Sequence, residues 1–172
     1  MDRCPWRCFV RNRIEPGPGQ ESVWDYPRPP RCEPTTKLIQ VRFGSRLIAE
    51  SRSCVRVLET SHPPVFYIPP TDIAMELIEP NDKRSFCEWK GTALYWDVAL
   101  DDRHAAAVAW SYPDPVAAFE PLRDFLAFYP SRMDACFVDG EPVQAQQGDF
   151  YGGWITREIV GPFKGAAGTW GW

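Results

Sequence analysis

Prolines and glycines interrupt this chain too often for long helices to form. There are 18 prolines and 12 glycines in 172 residues, many in tight groups such as Glu15-Pro-Gly-Pro-Gly-Gln20, Tyr26-Pro-Arg-Pro-Pro-Arg31 and Pro69-Pro70. Proline lacks a backbone donor and clashes with the preceding helical turn, so short elements joined by turns are expected. Residues 1–36 read as an extended Pro/Gly-rich arm, pinned to the body by Trp24 and Tyr26, with regular structure starting near Leu38. Residues 37–172 read as one β-rich domain, long enough to hide roughly 70% of its unfolded surface.

Within that domain the apolar period is two. Ile39, Val41 and Phe43 alternate with Gln40 and Arg42, then Gly44-Ser45 turns the chain into a partner strand over Arg46 to Glu50. Val55 and Val57 mark a strand ending at Glu59, and Val65 to Ile68 a short one stopped by Pro69-Pro70. Ile73 to Ile78 fits a helical turn or a strand. From Thr92 to Leu100, one face carries Leu94, Trp96, Val98 and Leu100 and the other Tyr95 and Asp97. Asp101-Asp102 then suits a hairpin into Arg103 to Trp110, although alanine there also favours helix. Asp114 as N-cap and Pro115 at the first helical position predict a short helix through Val116, Phe119, Leu122, Phe125 and Leu126, kinked at Pro121. Asp139-Gly140 predicts a last clear hairpin, joining Ala135–Val138 to Glu141–Gln144.

A net charge of -4 leaves no basic face for nucleic acid. Arg3, Arg7, Arg11 and Arg13 make only a basic tail. No apolar run reaches bilayer length, and the N-terminus lacks the apolar stretch of a secretory signal, so a cytoplasmic protein is expected. The cysteines at 4, 8, 32, 54, 87 and 136 are scattered, and they read mainly as free, partly buried small hydrophobes.

Little in the chain spells a reaction. Cys87 has Lys90 nearby, but an extended Phe86 to Lys90 would send the two side chains to opposite faces, leaving Lys90 to pair with Glu88 or a cross-strand carboxylate. Cys87 is then a buried structural thiol. Cys4 and Cys8 have no paired Cys-x-x-Cys partner, and neither histidine has one at i+4, so no metal or other cofactor is expected. His62, beside Glu59 and ahead of Pro63-Pro64, could serve as an acid or base. Its plainer reading is a partly exposed turn residue, and His104 pairs plainly with Asp101 or Asp102. Neither a Gly-x-Ser-x-Gly elbow nor a phosphate-cradling glycine loop occurs. What stands out is a density of Trp and Tyr among polar groups between Phe86 and Pro115, suited to a small-ligand pocket.

Val57-Leu58-Glu59, Tyr67-Ile68-Pro69-Pro70, Cys87-Glu88-Trp89-Lys90-Gly91, Tyr95 and Ala109-Trp110-Ser111-Tyr112-Pro113-Asp114-Pro115 resemble the domain-of-unknown-function 427 family. Phe150-Tyr-Gly-Gly-Trp-Ile155 and Gly161-Pro-Phe-Lys-Gly165 with Gly168-Thr-Trp-Gly-Trp172 resemble its longer bacterial members, so the likeness runs from about residue 21 to the end. The resemblance implies a compact, mostly β fold similar to the β-tent group, in which two sheets meet at an apex. The family also carries a nucleotidyltransferase-like label. Such enzymes set an acidic pair behind a Gly-Ser turn to hold magnesium, whereas the first Asp after Gly44-Ser45 is Asp72.

The expectation is therefore a mainly β single domain of two antiparallel sheets, β-tent-like, with one short helix and the Pro-rich arm. Its function would be to bind a small organic ligand in an aromatic pocket lined by Glu59, Tyr67, Trp89, Lys90, Tyr95, Trp110 and Tyr112. Lys90 would meet an anionic or carbonyl group and Glu59 a donor. The alternatives are an enzyme acting on a small molecule or nucleotide, and an interaction module whose arm and Trp-rich tail pack across a subunit boundary in a homo-oligomer. Nucleic acid and membrane are not expected partners.

Overall fold

The computed structural model describes residues 13–148 and 150–172. Cys4, Cys8, Arg3, Arg7 and Arg11, and with them the reading of a basic, loosely held tail, lie outside the described residues. Among the described residues fifteen strands carry the fold, and no closed barrel forms. In chain order they are β1 (Glu21–Ser22), β2 (Arg31–Thr35), β3 (Ile39–Phe43), β4 (Arg46–Ser51), β5 (Cys54–Leu58), β6 (Val65–Ile68), β7 (Ile78–Cys87) and β8 (Gly91–Leu100). They continue as β9 (Arg103–Ser111), β10 (Leu126–Phe128), β11 (Ala135–Val138), β12 (Glu141–Pro142), β13 (Gln144–Ala145), β14 (Trp154–Ile155) and β15 (Ile159–Val160).

Two antiparallel sheets dominate, as the alternation predicts. The larger runs in the order β2-β5-β6-β10-β9-β8-β7 and the smaller in the order β12-β11-β3-β4. Two-stranded pairs, β1 with β15 and β13 with β14, complete the pairing. Each predicted hairpin turn is present: Gly44-Ser45 between Phe43 and Arg46, Asp101-Asp102 between Leu100 and Arg103, and Asp139-Gly140 between β11 and β12. Asp139 and Gly140 both hold positive φ, 49° and 80°, as a two-residue turn matched to strand twist requires.

Alternation along the large sheet separates two cores. Phe66, Ile68, Val98, Val108, Ala109, Leu126 and Phe128 face the small sheet, whose Ile39, Val41, Phe43, Ile48, Cys136 and Val138 close over them. Their neighbours Val65, Tyr67, Tyr95, Ala107, Trp110 and Ala127 point to the opposite face. That face is covered only in part, by Phe119 and Leu122 from the segment after Asp114.

Several local expectations are corrected. Regular pairing starts well before Leu38: Glu21 and Ser22 pair in parallel with Ile159 and Val160, and Arg31–Thr35 adds an edge strand beside Cys54–Leu58. The arm is held by Trp24, whose Nε1 donates to the Pro162 carbonyl at 2.9 Å, and by buried Tyr26. Within the chain the arm also meets the tail, Trp24 standing edge-on to Trp172. The short helix is a 3-10 helix over Ala117–Leu122 capped at Val116 rather than Asp114, because Pro115 and Pro121 leave no room for α-helical hydrogen bonding. Its three-residue period still buries Phe119 and Leu122 together, while Leu126 belongs to strand β10. Strand β7 was masked in the sequence by Pro80 and a run of charge, the composition of an exposed sheet edge. Ile73 to Ile78 resolves into a 3-10 turn over Met75–Leu77. No helix among the described residues is long and apolar enough to cross a membrane.

Candidate functional site

The partly covered face of the large sheet encloses a hollow of about 440 Å³. Alternation sends Tyr67 from β6, Tyr95 from β8 and Trp110 from β9 to the same side, and Tyr112 and Tyr129 follow just beyond strands β9 and β10. All seven residues expected at a site, Glu59, Tyr67, Trp89, Lys90, Tyr95, Trp110 and Tyr112, contribute to its wall. The rings interlock: Trp110 lies 4.4 Å from Tyr129 and 6.1 Å from Tyr67, between centroids, and Tyr67 lies 6.3 Å from Tyr112. Trp110 Nε1 donates to the Tyr67 hydroxyl at 3.1 Å, and the Tyr95 and Ser85 hydroxyls are 2.9 Å apart.

The β7–β8 turn differs from the expected geometry. The chain is not extended through Lys90: β7 ends at Cys87, Glu88 to Lys90 form the turn, and Gly91 reverses the backbone at φ 101°. Cys87 and Lys90 therefore do not diverge to opposite faces, and Phe86 through Lys90 all reach the hollow. Cys87 is half-buried there and lines the hollow with Tyr112, which corrects its reading as a buried structural thiol.

Lys90 is buried, with 8% of its surface exposed, and its ammonium sits 5.9 Å from the Tyr112 ring centre and 5.6 Å from that of Phe119. The expected ion pair with Glu88 or a cross-strand carboxylate does not form; among the described residues no carboxylate pairs with Lys90. Glu59 is engaged by Arg28 at 3.6 Å. The neighbouring phenols cannot supply the missing charge, since burial above all raises Tyr67, Tyr112 and Tyr129 far above the usual tyrosine range. The positive charge reaches as far as Cys32, where it opposes the rise that burial imposes on that thiol.

The wall holds a second polar group, which the sequence offers as an acid or base or, more plainly, as a turn residue. His62 is not a partly exposed turn residue but a buried one, 8% exposed. Its Nδ1 donates to the Thr60 carbonyl at 3.0 Å, its ring meets Tyr151 edge-on at 4.7 Å, and Nε2 is buried with no partner. Burial lowers its pKa first of all, opposed by Glu59 and by the Thr60 bond and helped by Lys164 and Arg28. Gln146, Tyr151 and Lys164 were missed. Their clue was Gly152-Gly153: a Cβ at Gly152 would be driven into the Trp110 ring, so only glycine lets this backbone lie against the indole.

Other candidates lie elsewhere or stay apart. His104 pairs with Asp97 at 3.2 Å instead of Asp101 or Asp102, because the bulge between Trp96 and Val98 turns that carboxylate toward it. Cys32, Cys54, Cys87 and Cys136 are free, and among the described residues no group of His, Cys, Asp and Glu is placed to hold a metal. Gly44-Ser45 turns in the small sheet, where the Gly44 amide donates to Asp134 at 2.5 Å, remote from the hollow's lining.

Residues 31–139 match the model of a family described as a domain of unknown function (DUF427). No curated protein matches the chain. The matched span carries strands β2 to β11 and most of the hollow; Gln146, Tyr151 and Lys164 lie beyond it.

Proposed function

For this chain, which belongs to the DUF427 family, we propose binding of a small aromatic anion in the hollow as its function. The carrying observation is Lys90, a buried ammonium with rings around it and no carboxylate partner among the described residues. The ammonium lines the hollow with no carboxylate from the described residues beside it, and a ligand carboxylate arriving there supplies the counter-charge. Interlocked Trp and Tyr rings suit a planar apolar body, and neutral phenols offer directed hydrogen bonds without repelling the anion. The Gly-Ser turn's place in the other sheet gives nucleotidyl transfer no comparable support.

Calorimetry and thermal shift with benzoate, phenylacetate and 2-naphthoate, each beside its methyl ester, test this reading. The acids should bind and raise Tm while the esters do not, and Lys90→Met should abolish the difference. Equal response to acid and ester, or none to any acid, would sink it.

A further inference from the structure

The orphaned nitrogen of His62 narrows the ligand further. We propose that the hollow selects aromatic carboxylates that also carry a ring hydroxyl, with His62 Nε2 accepting the hydroxyl's hydrogen while Lys90 holds the carboxylate. This rests on the reading of the hollow as an anion-binding site and names the chemistry of its second pole.

The tautomer follows from the bond already made. A carbonyl oxygen only accepts, so Nδ1 carries the proton that bonds Thr60, and neutral Nε2 is left with a lone pair. That lone pair meets neither protein nor solvent, a state that is unfavourable in a buried acceptor. A donor brought by a ligand satisfies it. Tyr151 covers the imidazole edge-on, so a ligand reaches Nε2 by moving that ring aside.

The two poles are joined by rings and do not neutralise each other. Lys90 lies over Tyr112, Tyr112 packs near Tyr67, Tyr67 against Trp110, and Trp110 against Gly152, whose neighbour Tyr151 meets His62. Both poles line one hollow, so an aromatic ligand held there can turn an anionic group toward Lys90 and a phenolic hydroxyl toward His62. The charged groups acting on His62 are Glu59, which favours protonation, and Lys164 and Arg28, which oppose it together with burial. The imidazole is accordingly an acceptor near neutral pH and loses that capacity in acid.

This second pole is built jointly. His62 falls inside the family match, whereas Tyr151 and Lys164 come from the chain beyond residue 139. Selection for the hydroxyl is therefore a property of the longer chain rather than of the matched span alone.

Isothermal titration of the full chain with phenylacetate and with ortho-, meta- and para-hydroxyphenylacetate separates the two claims. One hydroxy isomer should bind on the order of tenfold more tightly than phenylacetate near neutral pH. His62→Phe should erase that preference, so that within this variant the hydroxy isomers bind no more tightly than phenylacetate. Should that variant fail to fold, the wild-type protein supplies a second test: the corresponding methoxyphenylacetate, which has no hydrogen to donate, should show none of that preference. Phenylacetate bound with no hydroxy isomer preferred, or a preference that the methoxy analogue keeps, overturns the inference and leaves the anion site standing. Failure of every acid to bind removes both.

Discussion

The two faces of the large sheet are made by the same strands and differ in almost everything else. Phe66 and Ile68 face a second sheet that shuts out water; Tyr67, between them, faces a hollow. Ala109 and Trp110, or Phe128 and Tyr129, divide in the same way. The closed face is packed with aliphatic side chains, Phe, Trp, Met and thiols, with Cys136 pushed up to about 12 by burial. The open face gathers phenols, two indoles, two lysines and a histidine. One face is built for stability and the other keeps polar groups that folding alone does not satisfy.

The sharpest way to break this contrast is to truncate on each side. Ile68→Ala, on the closed face, should lower the unfolding free energy by about 3 kcal/mol in urea titrations, since the second sheet prevents collapse into the cavity. A loss below about 1 kcal/mol would mean the two sheets are not tightly joined. Gly152→Ala presses a methyl into Trp110 and should cost about 2 kcal/mol by overpacking, unless the open face is loose enough to give. Tyr67→Phe removes the acceptor of Trp110 Nε1 and should cost about 1 kcal/mol, less than the truncation one residue along the strand.

Acid separates the faces without mutation. His62 resists protonation when folded, so the unfolded chain binds more protons once pH falls below 6.5. Its contribution is complete above 6.5 and is lost as pH drops. Asp134, beside the small sheet, is held down to about 2 by Arg103 and the Gly44 amide, from an ordinary 3.8. Its contribution is complete above 3.8 and disappears only toward pH 2. Melting temperature between pH 6.5 and 4 should thus respond to the open face, and His62→Phe should flatten that limb. The smallest stability change is expected for Lys90→Met. Replacing a lysine that no carboxylate among the described residues pairs by an apolar side chain should leave the unfolding free energy within about 1 kcal/mol or raise it. A loss of several kcal/mol there would show that Lys90 is already paired, and the proposed anion site would go with it.

Local pattern was a good guide wherever it was strong. The pleat of Thr92 to Leu100, the three two-residue turns and the pockets of β-branched residues all came through as strands and hairpins. Strand β7 did not, because an edge strand needs no apolar alternation and tolerates Pro80. Strand β10 did not either, since three residues are too few to outweigh the helical spacing that ran into them. At the site, Tyr95 and Lys90 were legible as polar groups amid rings. His62 was not, because nothing adjacent in the chain says whether Tyr151, far along the chain, will cover it.

Alternation along single strands is a property of the chain, since the period of a pleat is set by backbone geometry, and it decided which residues share a face. Which face would be closed was decided only by tertiary structure. That depends on where the small sheet packs and on how Gly152 brings the later chain against Trp110. Those are long-range contacts between segments whose own sequences carry no record of one another.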